Sequence, residues 1–235
     1  MTQSDGFALA NPDADRPVLK RVGWALLLGA VSWFIMEHWS RARTGTTFTL
    51  NLLPVLLALL TGALLNGHLR AASLVRWLSA FAVVAVPLGV LSALAMQPLA
   101  LTRAILSNEP INLLIPAVGV AFATALSAWA LRSLGSDVVV LARRAIGRPQ
   151  RRMWIPMVLA AALVSAGTAF TYISLNGEAA RKAERMVRRE LGPDFETAIV
   201  QLAMQKSREG SQYRATVVAW NGEDVRVIPL TWREE

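Results

Sequence analysis

The hydrophobic positions of this chain follow two patterns, and the change from one to the other divides it. Up to residue 175 they form long runs at 22–39, 48–66, 75–96, 111–132 and 153–175. Beyond that point they recur singly, first at helical and then at alternating spacing. The last run, MWIPMVLAAALVSAGTAFTYISL, carries no charge. About 20 apolar residues at a rise of 1.5 Å match the roughly 30 Å hydrocarbon core of a bilayer. Each run therefore predicts a membrane-crossing helix, five in all, in one domain over 22–175. Pro54, Pro87, Pro116 and Pro156 fall in four different runs. Membrane helices tolerate proline because neighbouring groups satisfy the freed carbonyl. Trp24, Trp39, Trp77, Trp129 and Trp154 lie near the ends of runs, at the level where indole rings favour the headgroups.

Residues 1–21 are polar and rich in Asp, Asn and Pro, which predicts a disordered tail. No small-residue cleavage pattern follows the first run, so it is read as an uncleaved span. Residues 133–150 form one long connection. Within it Val138, Val139, Leu141, Ala142 and Ala145 beside Arg143 and Arg144 suit a short helix in the membrane interface. Small residues recur every four positions at Ala117, Ala121 and Ala125. Ala162 and Ala166 continue the spacing up to Phe170, and the pattern predicts close helix packing inside the bundle.

After residue 175 the pattern becomes that of a small α+β domain, αβββ, over 176–235. Ala180, Ala183, Val187 and Leu191 form one stripe of a helix over 178–191 that Gly192-Pro193 ends. Ala198, Val200, Leu202 and Met204 alternate as a strand over 197–205. Two further strands, 213–220 and 225–232, flank Asn221-Gly222-Glu223-Asp224, a hairpin signal. A two-residue loop would set Val217 opposite Arg226. A four-residue loop instead pairs Val217 with Ile228, Ala215 with Leu230 and Tyr213 with Trp232, which gives one coherent apolar face. Pro229 cannot donate a ladder hydrogen bond and places the last strand at an edge or bulge. The opposite face carries Val218, Trp220, Val225 and Val227, also apolar, and one helix covers only one face. This second face is the candidate partner surface; it packs on the membrane part, on a second copy or on another protein, or else on the protein's own periplasmic connections.

Charge sharpens the membrane reading. Hydrophobic residues make up 54% of the chain, above the roughly 45–50% of soluble domains. The net charge of +8 lies wholly before residue 175, because the ten basic and ten acidic residues beyond it cancel. Short basic segments flanking apolar runs fix topology, so nucleic acid is excluded as the expected partner. With the N-terminus in the cytoplasm, eleven Lys and Arg lie inside against three outside. Five more basic residues beyond the last span pull the other way, but long translocated segments obey the bias weakly. The expectation is a multi-pass protein of a bacterial inner membrane, N-terminus inside and C-terminal domain periplasmic. The bacterial assignment follows the arginine- and alanine-rich composition.

Chemistry is sparse. The absence of cysteine excludes disulfides, thiol catalysis and Cys-based metal sites. The two histidines, His38 and His68, stand at no ligand spacing, and no nucleophile elbow, zinc-helix or phosphate-loop motif occurs. No catalytic, cofactor or metal residue is therefore assigned, and no cofactor is expected. Two weaker sets remain. Glu37, His38, Arg41, Arg103 and Glu109, with Arg43, Asn51 and Asn112, fall at the ends of the first four runs as a candidate polar cluster. Arg143, Arg144, Arg148, Arg151 and Arg152 are candidate contacts for anionic lipid. No Asp, Glu, Lys or Arg lies centrally in a run, which argues against a proton- or sodium-coupled transporter. The expected function is a non-catalytic accessory or assembly subunit. Its partners are the lipid bilayer and either a membrane or periplasmic protein or a second copy. The alternatives are a small carrier or channel for a lipid-like or neutral solute, and a headgroup enzyme at the polar cluster.

Overall fold

A computed structural model describes residues 14–44, 52–108, 111–147, 152–207, 210–221 and 224–234. Among the described residues the order is eight helices and then three strands: α1 (Arg16–Thr44), α2 (Leu52–Leu65), α3 (Leu69–Met96), α4 (Leu99–Asn108), α5 (Ile111–Ser133), α6 (Asp137–Ala145), α7 (Trp154–Leu175), α8 (Glu178–Leu191), β1 (Glu196–Ser207), β2 (Gly210–Trp220) and β3 (Val225–Glu234). Four of these helices, α1, α3, α5 and α7, are long and apolar enough to cross a membrane, and α2 contributes a shorter apolar helix. Their outward surfaces carry Leu28, Ile35, Leu91, Val118, Leu163 and Phe170, all exposed. Apolar side chains at this density belong in lipid, so this is a multi-pass membrane protein.

Contacts group the chain into two compact units, Met1–Val86 with Gly119–Ala160, and Pro87–Val118 with Ala161–Glu235. In the first, Leu19 and Val22 of α1, Leu64 of α2 and Ala71, Ala72 and Val75 of α3 form a buried core. Ala130, Leu134 and Val139 complete it. Burial of Leu19 requires the helix to begin early, and residues 16–21, expected in the tail, are its first turns. The start of α1 meets the end of α2, so the pair is antiparallel. A Schellman turn joins α2 to α3: His68 N–H donates to the Ala63 carbonyl at 3.0 Å and Gly67 N–H to that of Leu64 at 2.9 Å. The turn needs φ of +78° at Gly67, which glycine adopts without a Cβ clash.

The second unit holds the strands, in the order β1-β2-β3, all antiparallel. Its hairpin has the expected register: Val217 pairs with Ile228, Ala215 with Leu230 and Tyr213 with Trp232. The rings of Tyr213 and Trp232 stack at 5.2 Å. Asn221 closes the loop, its N–H donating to the Asp224 carbonyl at 3.0 Å while its Oδ1 accepts from Asp224 N–H at 2.7 Å. β3, with Pro229, is an edge strand. Ala180, Ala183 and Val187 of α8 pack on Ile199, Ala215, Val217, Ala219 and Trp232.

Two expectations are corrected here. β1 does not alternate evenly, because the register shifts between Ile199 and Gln201 and leaves Val200 in a β-bulge. Ala198 therefore lies on the face away from α8, whereas Leu202, past the bulge, lies on the α8 face. Glu184 of α8 supports the bulge, its Oε1 accepting from Ile199 N–H at 3.3 Å. Second, Ala117, Ala121, Ala125, Ala162, Ala166 and Phe170 are exposed, so among the described residues the small-residue stripes do not serve as packing seams. The segment between α3 and α5 is itself a helix, α4.

Candidate functional site

The sheet's second face is where sequence pattern and structure meet most informatively. Val218 and Trp220 of β2 and Ala198 of β1 are buried with Leu101 of α4, and Ala104, Ile105 and Val225 pack around them. Leu101, Ala104 and Ile105 stand at i, i+3 and i+4, which puts them on one side of a helix. Leu99 and Leu106 point elsewhere and are exposed. The sheet is thus a middle layer, with α8 on one face and α4 on the other. Of the four candidate surface residues, Val218 and Trp220 are buried, Val225 is half-buried, and Val227 alone is 65% exposed. Val227 sits on edge strand β3 opposite Val218. It joins exposed Val200 of the bulge and Met204 of β1 among the large apolar side chains that the sheet leaves uncovered. Packing of this face on one of the protein's own connections was an open alternative, and the structure places α4, between α3 and α5, there. The signal was present in the spacing of Leu101, Ala104 and Ile105.

The candidate polar cluster is only partly visible. Arg103 is exposed on α4. Glu37, His38, Arg41 and Arg43 belong to the last turns of α1, and Asn112 to the first turn of α5, but their side chains lie outside the described residues. Asn51 and Glu109 also lie outside them. Among the described residues no group of three His, Asp or Glu side chains is placed to hold a metal ion.

The arginines after α5 behave differently from one another. Arg144 and Arg152 are exposed, as headgroup contacts require. Arg148 and Arg151 lie outside the described residues. Arg143 turns inward: it is 4% exposed, and its Nη2 donates to Ser73 Oγ of α3 at 3.0 Å. The short helix expected in this connection is present as α6, with Val139 buried in the core and Val138 and Leu141 exposed. Its amphipathic stripe is therefore shared between the protein and its surroundings. Beside it, Gly67, His68, Leu69, Arg70 and Ile146 line an open recess of about 490 Å³.

One residue that composition gave no reason to single out is Arg76, on α3 one turn beyond Ser73. It is only 9% exposed, and among the described residues its Nε and Nη1 are buried without a hydrogen-bond partner. In sequence it resembles any flanking arginine of a membrane protein. Only the structure shows that it points into the protein.

A second recess, of about 760 Å³, lies on the helical side of the sheet, lined by Glu178, Ala179, Arg181, Lys182, Glu184, Arg185, Arg188 and Tyr213. Acidic and basic side chains alternate around it, as on a solvated helix surface. Comparison with protein-family models, with curated proteins and with solved structures returns no match.

Proposed function

We propose that this protein is a non-catalytic membrane accessory subunit, its five apolar helices spanning a bacterial inner membrane and its sheet domain meeting a partner protein on the periplasmic side. The observation that supports it is the position of Val227. It is exposed on an edge strand, directly opposite the buried Val218. An edge strand with an apolar side chain and unpaired backbone groups is a ready template for another chain. The charge distribution fits the compartment: with α2 taken as the fifth crossing and the N-terminus inside, eleven basic residues fall on the cytoplasmic side against three outside.

The experiment is a photo-crosslinking amino acid at position 227, activated in native membranes, beside the variant Val227→Asp. The reading predicts a discrete heavier adduct, and a complex that V227D loses while its thermal stability stays within about 0.5 kcal/mol of the wild type. Trp220 is unsuitable for this purpose, because an aspartate there would unfold the domain. No adduct from 227, with a complex unchanged in V227D, removes the reading. Differently tagged copies in one cell distinguish a second copy of the chain from another protein.

A further inference from the structure

Arg76 is the anomaly from which a site can be read. A charged guanidinium left without partners inside a protein costs several kcal/mol by desolvation alone. In a membrane protein such a residue marks a binding site unless a partner is found. The surroundings of Arg76 are built to hold it. A Cβ on Gly135 would lie 2.9 Å from its Nη2 and 3.1 Å from the Leu131 carbonyl, so a glycine here is what lets the guanidinium reach the α5–α6 turn.

That turn leads directly into the N-terminus of α6. Ser136 is the N-cap, yet its side chain makes no capping bond, and its Oγ is buried without a partner. The first intrahelical bond is made by Val140 N–H to the Ser136 carbonyl at 3.0 Å, which leaves the N–H groups of the first turn facing outward along the axis. Arg143, in the last turn of α6 and 4% exposed, brings a second guanidinium to the same pair of helices through Ser73. The one carboxylate of the α6 first turn, Asp137, is reached by neither Nε nor Nη1 of Arg76.

We propose that Arg76, Ser73, Ser136 and Arg143 form a binding site for a phosphate group between α3 and the N-terminus of α6. Two buried guanidinium groups supply the charge. Arg76 Nε and Nη1 lie on different edges of the guanidinium plane, and each is a buried donor open to an oxygen of an oxyanion. The Ser136 hydroxyl and the helix N-terminus add donors, more than the two oxygens of a carboxylate accept. The phosphate has two possible sources, a phospholipid headgroup or a free phosphate ion. This site is distinct from the partner surface on β3 and does not depend on it.

The test uses the full chain in dodecyl maltoside, stripped of lipid until it contains no phosphorus. Its thermal midpoint is followed on adding inorganic phosphate, phosphatidylglycerol or, as a phosphate-free lipid, dioleoylglycerol. A rise with phosphatidylglycerol but not with phosphate identifies a headgroup, and a rise with phosphate identifies the free ion. Ser136→Ala removes a hydroxyl that bonds nothing in the free protein, so this variant keeps its fold. It should bind about tenfold more weakly, as expected for loss of one hydrogen bond to a charged group. Arg76→Gln should abolish the shift. The proposal is overturned if neither anion raises the midpoint, if dioleoylglycerol raises it equally, or if S136A responds as the wild type does.

Discussion

Leu101 of α4 and Trp220 of β2 are buried in one apolar cluster, 1% and 5% exposed, although one belongs to the link between two membrane helices and the other to the C-terminal sheet. This pairing ties the domain to the connection before α5. It also decides which residues of the second sheet face remain available to anything else.

Trp220→Ala should therefore destabilise the protein by about 3–5 kcal/mol, the cost of emptying a buried aromatic site. Leu101→Ala should cost about 2–5 kcal/mol, and the double variant less than the sum, with a coupling of about 0.5–3 kcal/mol. Val227→Ala, on the same face but exposed, should fall within about 0.5 kcal/mol of the wild type. Denaturant unfolding of the four proteins in detergent measures all three quantities. Strict additivity would mean that Leu101 and Trp220 do not share a cluster.

The bulge in β1 gives a second expectation. Glu184→Ala deprives Ile199 N–H of its acceptor and should cost about 1 kcal/mol, whereas Glu184→Gln keeps an oxygen in place and should be near neutral. Amide hydrogen exchange at Ile199 reports the loss directly: it should quicken in E184A and stay slow in E184Q.

The turn between α2 and α3 gives a third. Gly67→Ala places a Cβ at φ of +78° and should destabilise by about 1–2 kcal/mol. Gly62→Ala, inside α2 with nothing within 4 Å of the added carbon, should stabilise slightly. Thermal unfolding of the two variants should show midpoints displaced in opposite directions.

How much of this was legible in the sequence depends on the range of the interactions involved. Apolar runs locate α1, α3, α5 and α7 because a bilayer sets their length independently of any tertiary contact. Hairpin register was legible because only one pairing puts Tyr213, Ala215 and Val217 opposite apolar partners. The bulge was not, since Val200 fits the alternation of Ala198 and Leu202 perfectly well until the ladder skips it. α4 was hidden by its shortness between two longer helices. Arg76 was hidden by its type, because arginines that fix topology and arginines that turn inward look alike until the packing around Gly135 is seen. Of the candidate partner surface, the apolar character was readable and the covering by α4 was not. Of the polar cluster only Arg103 has its side chain among the described residues.

Because the chain contains no cysteine, single cysteines test the arrangement cleanly. α4 packs on the sheet, and the proposed topology puts both on the periplasmic side of the membrane and the basic α6 segment on the cytoplasmic side. The measurement is labelling of Ser107→Cys, Arg233→Cys and Arg144→Cys by a membrane-impermeant maleimide in spheroplasts. The account predicts that the first two react in intact spheroplasts and that the third reacts only after permeabilisation. Reaction of Ser107→Cys and Arg233→Cys from opposite sides would contradict it.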